Sequence, residues 1–178
     1  MLFAEDAIQV GDTVYLMYWN SVQEHDGEKY YDDYVYKVNT KEGQTVKMEI
    51  YVFDEDYNVP RTIRWSVVLQ VENKRKRGFE HLKQTGKSGL TPLLIAKEIL
   101  KWHIDEIIKK KTCKFCRHNN VIEIAWDDIK RKNAYMRGLS DLGFKLEHTS
   151  YNKQNIGVVL LKTIRPYEKE EERHVKSS

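Results

Sequence analysis

The sequence predicts an α+β domain with a mixed, mainly antiparallel central sheet and two main helices. Three observations carry this. Apolar residues alternate with polar ones over residues 62–72, where Ile63, Trp65, Val67, Leu69 and Val71 share one side. Period-two alternation is the mark of a half-buried strand. Apolar residues then recur at helical spacing over 89–110, at Leu93, Ala96, Leu100, Ile104 and Ile107. The strand–helix–strand order across 62–126 points to one parallel pair inside an otherwise antiparallel sheet, because parallel neighbours need a long crossover.

The elements follow in chain order. Residues 1–11 read as a loose lead-in with room for one helical turn. Residues 12–20 (DTVYLMYWN) are rich in aromatic and β-branched side chains and predict a strand. Residues 21–33 are polar and acidic around Gly27 and read as a loop. Residues 34–40 and 46–53 are the next strands, joined by a hairpin turn at Lys41-Glu42-Gly43-Gln44. With 62–72 they make a four-strand antiparallel meander. Pro92 sits in the first turn of the long helix, where its missing N–H costs least. Lys109, Lys110 and Lys111 close that helix with the charge its C-terminus favours.

Residues 112–120 read as a loop and 121–126 as a short strand central to the sheet. Asp127 or Asp128 caps a second helix running to Leu142, with Tyr135, Leu139 and Leu142 on its buried side. Gly143 stands where a helix C-cap glycine belongs. Residues 144–150 and 157–164 are two closing strands. Residues 166–178 are charged, lack apolar anchors and read as a disordered tail. The 178 residues are expected to form a single domain over 1–165.

Composition narrows the function. Hydrophobic residues make up 40% and charged residues 32%, which suits a globular protein in water. No apolar run approaches the roughly 20 residues of a membrane span, and Met1 to Val10 does not resemble a targeting signal, so a cytoplasmic location is expected. The net charge of +3 hides an asymmetry. Residues 1–73 carry 6 cationic and 14 acidic side chains; the remainder carries 24 and 13. The sign changes just before the loop that ends in Lys83-Gln84-Thr85-Gly86-Lys87-Ser88-Gly89. Glycines between a strand and a helix let backbone N–H groups converge, and the helix dipole adds positive charge there. A phosphorylated ligand suits this half, as does nucleic acid.

Other motifs are weighed on their spacing. Gly86-Lys87-Ser88 suggests a nucleoside-triphosphate loop, but that pattern needs glycine at position 81, which is His81. Cys113 and Cys116 have zinc-like spacing; with His118 and something like His103 they could complete four ligands, but two reduced thiols are the simpler reading, and no metal is expected. The cations from Lys74 to Arg77, with Lys83 and Lys87, could follow a nucleic-acid backbone while Trp19 and Trp65 stack bases. The plain alternative is a solvated charge run above core aromatics.

The order of elements over 62–164 resembles the C-terminal two-thirds of the GNAT superfamily of acyl-CoA N-acyltransferases. In that family a loop of Gln or Arg, two residues, Gly, one residue, then Gly or Ala holds the pyrophosphate of acetyl-CoA. Here Lys83, Gly86 and Ser88 take those places, with Gly89 following. The run from Arg131 through Asn133, Tyr135 and Leu139 to Gly143-Phe144 resembles the family's fourth helix, especially in the compact versions encoded by bacteriophages.

The resemblance implies acetyl-CoA as co-substrate and an amine acceptor, on a small molecule or a protein. It implies cofactor contacts at Leu69, Val71, Lys83, Thr85, Gly86, Lys87, Ser88, Gly89, Leu90 and Asn133. It also implies catalytic roles for Tyr135 as acid and Glu72 as base. Two departures accompany it. The family usually sets two helices between its first and second strands, where this chain offers residues 21–33. The usual helix tyrosine would fall at position 139, which is Leu139, with Tyr135 one turn earlier. These leave open a non-catalytic relative that binds a macromolecule, for instance a viral factor acting on a host protein, and a nucleic-acid-binding protein.

Overall fold

The computed structural model describes residues 3–26, 29–55, 62–73, 79–80, 90–111, 119–124, 133, 137–148 and 158–164. Five strands run consecutively and antiparallel: β1 (Ala4–Val10), β2 (Thr13–Asp26), β3 (Lys29–Asn39), β4 (Gln44–Glu55) and β5 (Thr62–Asn73). A two-residue strand, β6 (Phe79–Glu80), folds back on the end of β5. Helix α1 (Leu90–His103) crosses over to β7 (Asn119–Ile124), which lies parallel to β5. β8 (Lys145–His148) and β9 (Val158–Ile164) complete a sheet ordered β1-β2-β3-β4-β5-β7-β9-β8. The fold class is α+β, and β5–β7 is the one parallel pair among the described strands.

Alternation decides which face is buried. On β5, Trp65, Val67 and Val71 point inward; Arg64, Ser66, Gln70 and Glu72 occupy the other face, where Val68 is 37% exposed. The same inward row continues through Tyr34, Tyr36 and Val38 on β3 and Val46, Met48 and Ile50 on β4. Against it lies the apolar stripe of α1: Leu93, Ile95, Ala96, Ile99, Leu100 and Ile104 are buried. Each such side chain contributes about 1.5–3 kcal/mol of transfer free energy as an upper estimate.

α1 does not end as a plain α-helix. Residues Ile104–Ile108 form a π-helical turn in which the Lys109 N–H donates to the Ile104 carbonyl, and Lys109–Lys111 finish the rod. The extra residue of a π turn shifts the stripe. Ile104 and Ile108 therefore both stay buried, while Asp105 pairs with Lys109 and Glu106 with Lys110 on the outside.

Two expectations are corrected. Residues 1–11 are not a lead-in: Ala4–Val10 is strand β1. Its inward positions include Asp6, which hid the alternation. That carboxylate is satisfied by the Trp19 indole N–H at 2.8 Å. The turn to β2 needs two residues, Gly11 and Asp12, with Gly11 at φ 58°, as tight hairpins demand. Residues 21–33 are not a loop either. β2 and β3 keep register to Asp26↔Lys29. Polar composition does not exclude a ladder whose register is already fixed by the apolar pairs upstream, such as Met17↔Val38. Beyond Tyr34 this pair has no flanking strand among the described residues: the β1–β2 ladder runs to Ala4↔Trp19, and the β3–β4 ladder to Tyr34↔Ile50. There the Val52 N–H turns to the Asp33 carboxylate, 3.3 Å away.

Other expectations hold. The 41–44 turn has Gly43 at φ 83°, and Thr40 satisfies both sides of it: its N–H donates to the Gln44 carbonyl at 2.8 Å and its hydroxyl accepts from the Gln44 N–H at 3.1 Å. Of the second helix, Asn133 and residues 137–139 are helical, with a 3-10 turn at Ser140–Leu142. Leu139 is buried and Leu142 partly so. Asp127, Asp128, Tyr135, Cys113, Cys116, the cations 74–77 and the tail 166–178 lie outside the described residues.

Gly143 caps the 3-10 turn at φ 83°, ψ 18°, donating its N–H to the Ser140 carbonyl at 3.1 Å. A side chain in this left-handed conformation costs about 1 kcal/mol. Gly143→Ala is expected to lower the unfolding free energy by that amount, read in equilibrium urea unfolding as a lower midpoint with an unchanged m-value.

Candidate functional site

Among the described residues the β5–β7 ladder runs from Thr62↔Asn119 to Val67↔Ile124, while β5 runs on to Asn73. β6 takes the same edge further along, at Val71↔Glu80 and Glu72↔Phe79. Between them, Val68, Leu69 and Gln70 pair with Glu49, Met48 and Lys47 of β4 on one side. Among the described residues no strand pairs with them on the other. Unpaired strand edge presents main-chain N–H and C=O groups to whatever approaches.

An apolar hollow of about 10 Å³ opens on the inward side of this gap. Val67 and Leu69 of β5, Ile124 at the end of β7 and Met48 of β4 form its sheet wall. Leu93, Ala96 and Leu100 of α1, with Leu139, form its roof. The volume is close to that of one water, and a lining without polar groups gives a water no partners. The second helix reaches this roof through Gly138, where a Cβ would lie 2.9 Å from Leu93 Cδ2. Lys97 and Asp141 form an ion pair across the same contact, and the hydrogen bond from Lys97 holds the exposed Asp141 carboxyl below its ordinary range.

Deeper in, α1 buries His103 completely. The Tyr36 hydroxyl and His103 Nδ1 share a short hydrogen bond. The imidazole sits edge-on to Tyr34, Tyr36 and Trp65, with centroids 5.0, 5.5 and 5.1 Å away. Burial, and then the neighbouring Tyr34, push the Tyr36 phenol well above the ordinary tyrosine range, so it stays protonated. The Trp65 indole N–H donates to Asn120 Oδ1 at 3.1 Å. Asn120 is 2% exposed, and its Nδ2 has no hydrogen-bond partner among the described residues. This knot has no opening to solvent at His103, so its work is to fix α1 against β3, β5 and β7.

Of the residues implied as cofactor contacts, Leu69 lines the hollow and Val71 is buried under the sheet edge taken by β6. Leu90 is the first residue of α1, and Asn133 is helical and exposed. Glu72 lies on the outer face of the sheet, opposite the hollow. Lys83, Thr85, Gly86, Lys87, Ser88, Gly89 and Tyr135 lie outside the described residues. The sequence reading passed over the Tyr36–His103 pair. Its signal was there: His103 falls beside Ile104 on the apolar stripe. His103, a possible fourth ligand beside Cys113, Cys116 and His118, instead contacts Tyr36 inside the core.

Among the described residues, no three His, Cys, Asp or Glu side chains are grouped to hold a metal ion, and no helix is long and apolar enough to cross a membrane. Compared with known protein families, curated proteins and solved structures, the chain matches none.

Tyr36→Phe removes the phenol from His103 and is expected to cost about 1–3 kcal/mol in denaturant titrations. The pH dependence has a definite sign. Above about pH 10 the unfolded chain ionises this tyrosine while the folded chain keeps its proton, so stability falls as pH rises. In Tyr36→Phe that alkaline decline should be shallower.

Proposed function

We propose that this chain is an acyl-CoA-dependent N-acetyltransferase of GNAT type, acting on an amine. The observation that carries the reading is the parallel β5–β7 pair, described from Thr62↔Asn119 to Val67↔Ile124, with an apolar hollow beside it. A thioester arm laid beside Leu69 would meet β5 main chain that, among the described residues, has no strand partner on that side, and aliphatic wall on the other. Two further features support the reading. The sheet order β5-β7-β9-β8 agrees with the strand sequence that the resemblance implies. The first turn of α1 carries no acidic side chain, so its N-terminal dipole is not offset by carboxylates.

In this mechanism, amides of residues 85–90 hold the pyrophosphate, and Lys83 and Lys87 add charge. Asn133 contributes from the second helix. Because β6 covers the edge at Val71 and Glu72, polarisation of the thioester carbonyl falls to the backbone around Leu69. The acceptor must lose a proton to become a nucleophilic amine, through a water chain, because Glu72 lies on the face away from the hollow. The neutral amine attacks the carbonyl carbon, the C–S bond breaks, Tyr135 protonates the departing thiolate, and the proton shed by the acylated nitrogen returns to Tyr135 through water. A second reading, a GNAT-like binding protein without catalysis, is favoured by the β2–β3 ladder at 21–33, which stands where the family places acceptor-shaping helices.

Calorimetry with acetyl-CoA, followed by acetyl transfer to lysine peptides and polyamines, separates these readings. The enzyme binds and transfers; the non-catalytic relative binds without transfer; a nucleic-acid module does neither and shows affinity for DNA that falls steeply with salt. Gly86→Asp combined with Ser88→Asp is expected to abolish acetyl-CoA binding while leaving the circular dichroism spectrum and melting midpoint unchanged. Unaltered affinity in that double variant would end the loop assignment.

A further inference from the structure

We propose that the chain forms a two-fold dimer by pairing strand β1 with β1 of a second copy, so that one sheet runs through both. β1 ends the sheet. Its register with β2 is unbroken from Ala4↔Trp19 to Val10↔Thr13. Chains that keep an edge strand to themselves blunt it with proline, charged side chains, a bulge or short length. β1 (AEDAIQV) has no proline and no lysine over its 7 residues, and its inward carboxylate, Asp6, is taken up by the Trp19 indole N–H. Ala4, Glu5, Ala7 and Gln9 are exposed.

The strand is complementary to itself. An antiparallel pair centred on Ala7 matches every residue of β1. Ala4 faces Val10, Glu5 faces Gln9 and Asp6 faces Ile8 of the second copy, so no two carboxylates oppose each other. Centring on Asp6 would set two carboxylates face to face, and centring on Ile8 leaves residues unpaired. Such an isologous contact is the commonest route to a closed dimer.

The apolar surface beside β1 fits the same arrangement. Leu16 is 45% and Val14 65% exposed, and both lie on the outer face next to β1, Leu16 beside Ala7 and Val14 beside Gln9. Pairing at Ala7 joins Leu16 and Ala7 to their copies in one apolar strip across the two-fold axis. On the inner face, an open groove of about 210 Å³ between β1 and α1, walled by Ile8, Trp102 and Asp105, would be closed at its outer rim.

Sedimentation equilibrium up to about 100 μM chain tests this. The expected mass is twice the 21.2 kDa of one chain. Gln9 discriminates the register, because it faces Glu5 of the second copy twice in each dimer. Gln9→Lys should tighten the dimer and Gln9→Glu should loosen it, with dissociation constants at least about fivefold apart. That separation should shrink as salt is added. Gln9→Met, which loses the bond from Gln9 Nε2 to the Gly11 carbonyl without adding charge, should fall between the two, which separates charge from a merely structural effect. Ala7→Lys, which sets two ammonium groups against each other, should give monomer with an unchanged circular dichroism spectrum. A wild-type monomer across the whole range, or Gln9 variants that shift in the same direction, overturns the proposal.

Discussion

The contact on which the rest of this structure depends is the apolar stripe of α1 laid across the inward face of β3, β4 and β5. It buries residues from Leu93 at one end to Ile108 at the other. It also fixes the topology. A parallel partner for β5 exists because α1 carries the chain back across the sheet, and β7 is admitted as an interior strand as a result. Tyr36, His103, Trp65 and Asn120 then lock the register of helix and strands with hydrogen bonds that have direction, which aliphatic packing lacks.

That knot is a costly device. A fully buried imidazole and phenol lose their hydration, and the Asn120 amide nitrogen finds no hydrogen-bond partner among the described residues to offset its own loss. An all-aliphatic centre would have avoided those terms. What the polar pair adds is a single acceptable rotation of α1, since any other turns His103 away from Tyr36. The hollow under Leu93 and Ala96 inherits its shape from that rotation.

Much of this was legible in the sequence. β5 and α1 announced themselves because one face of each is nearly pure in apolar residues, so period two and period 3.6 stand out. Gly43 and Gly143 marked their turns because both need a positive φ. β1 was hidden by Asp6, an inward carboxylate whose partner, Trp19, is distant in sequence. The outer parts of β2 and β3 were hidden because their pairing is inherited from apolar residues nearer the body and not from their own composition. Of the candidate site, Leu69 was readable in the sequence. The hollow was not, being assembled from three strands and two helices, and neither was the placement of Glu72 on the far side of the sheet.

The reach of β2 and β3 beyond their neighbours has a mechanical meaning. Among the described residues no third strand flanks this ribbon, and two-stranded ribbons as a class coil more strongly than wide sheets. Its root is held where the Asp33 carboxylate takes the Val52 N–H. The arm therefore behaves as a cantilever: lengthening or shortening it alters what the molecule can touch at a distance, and leaves the packing beneath α1 unchanged.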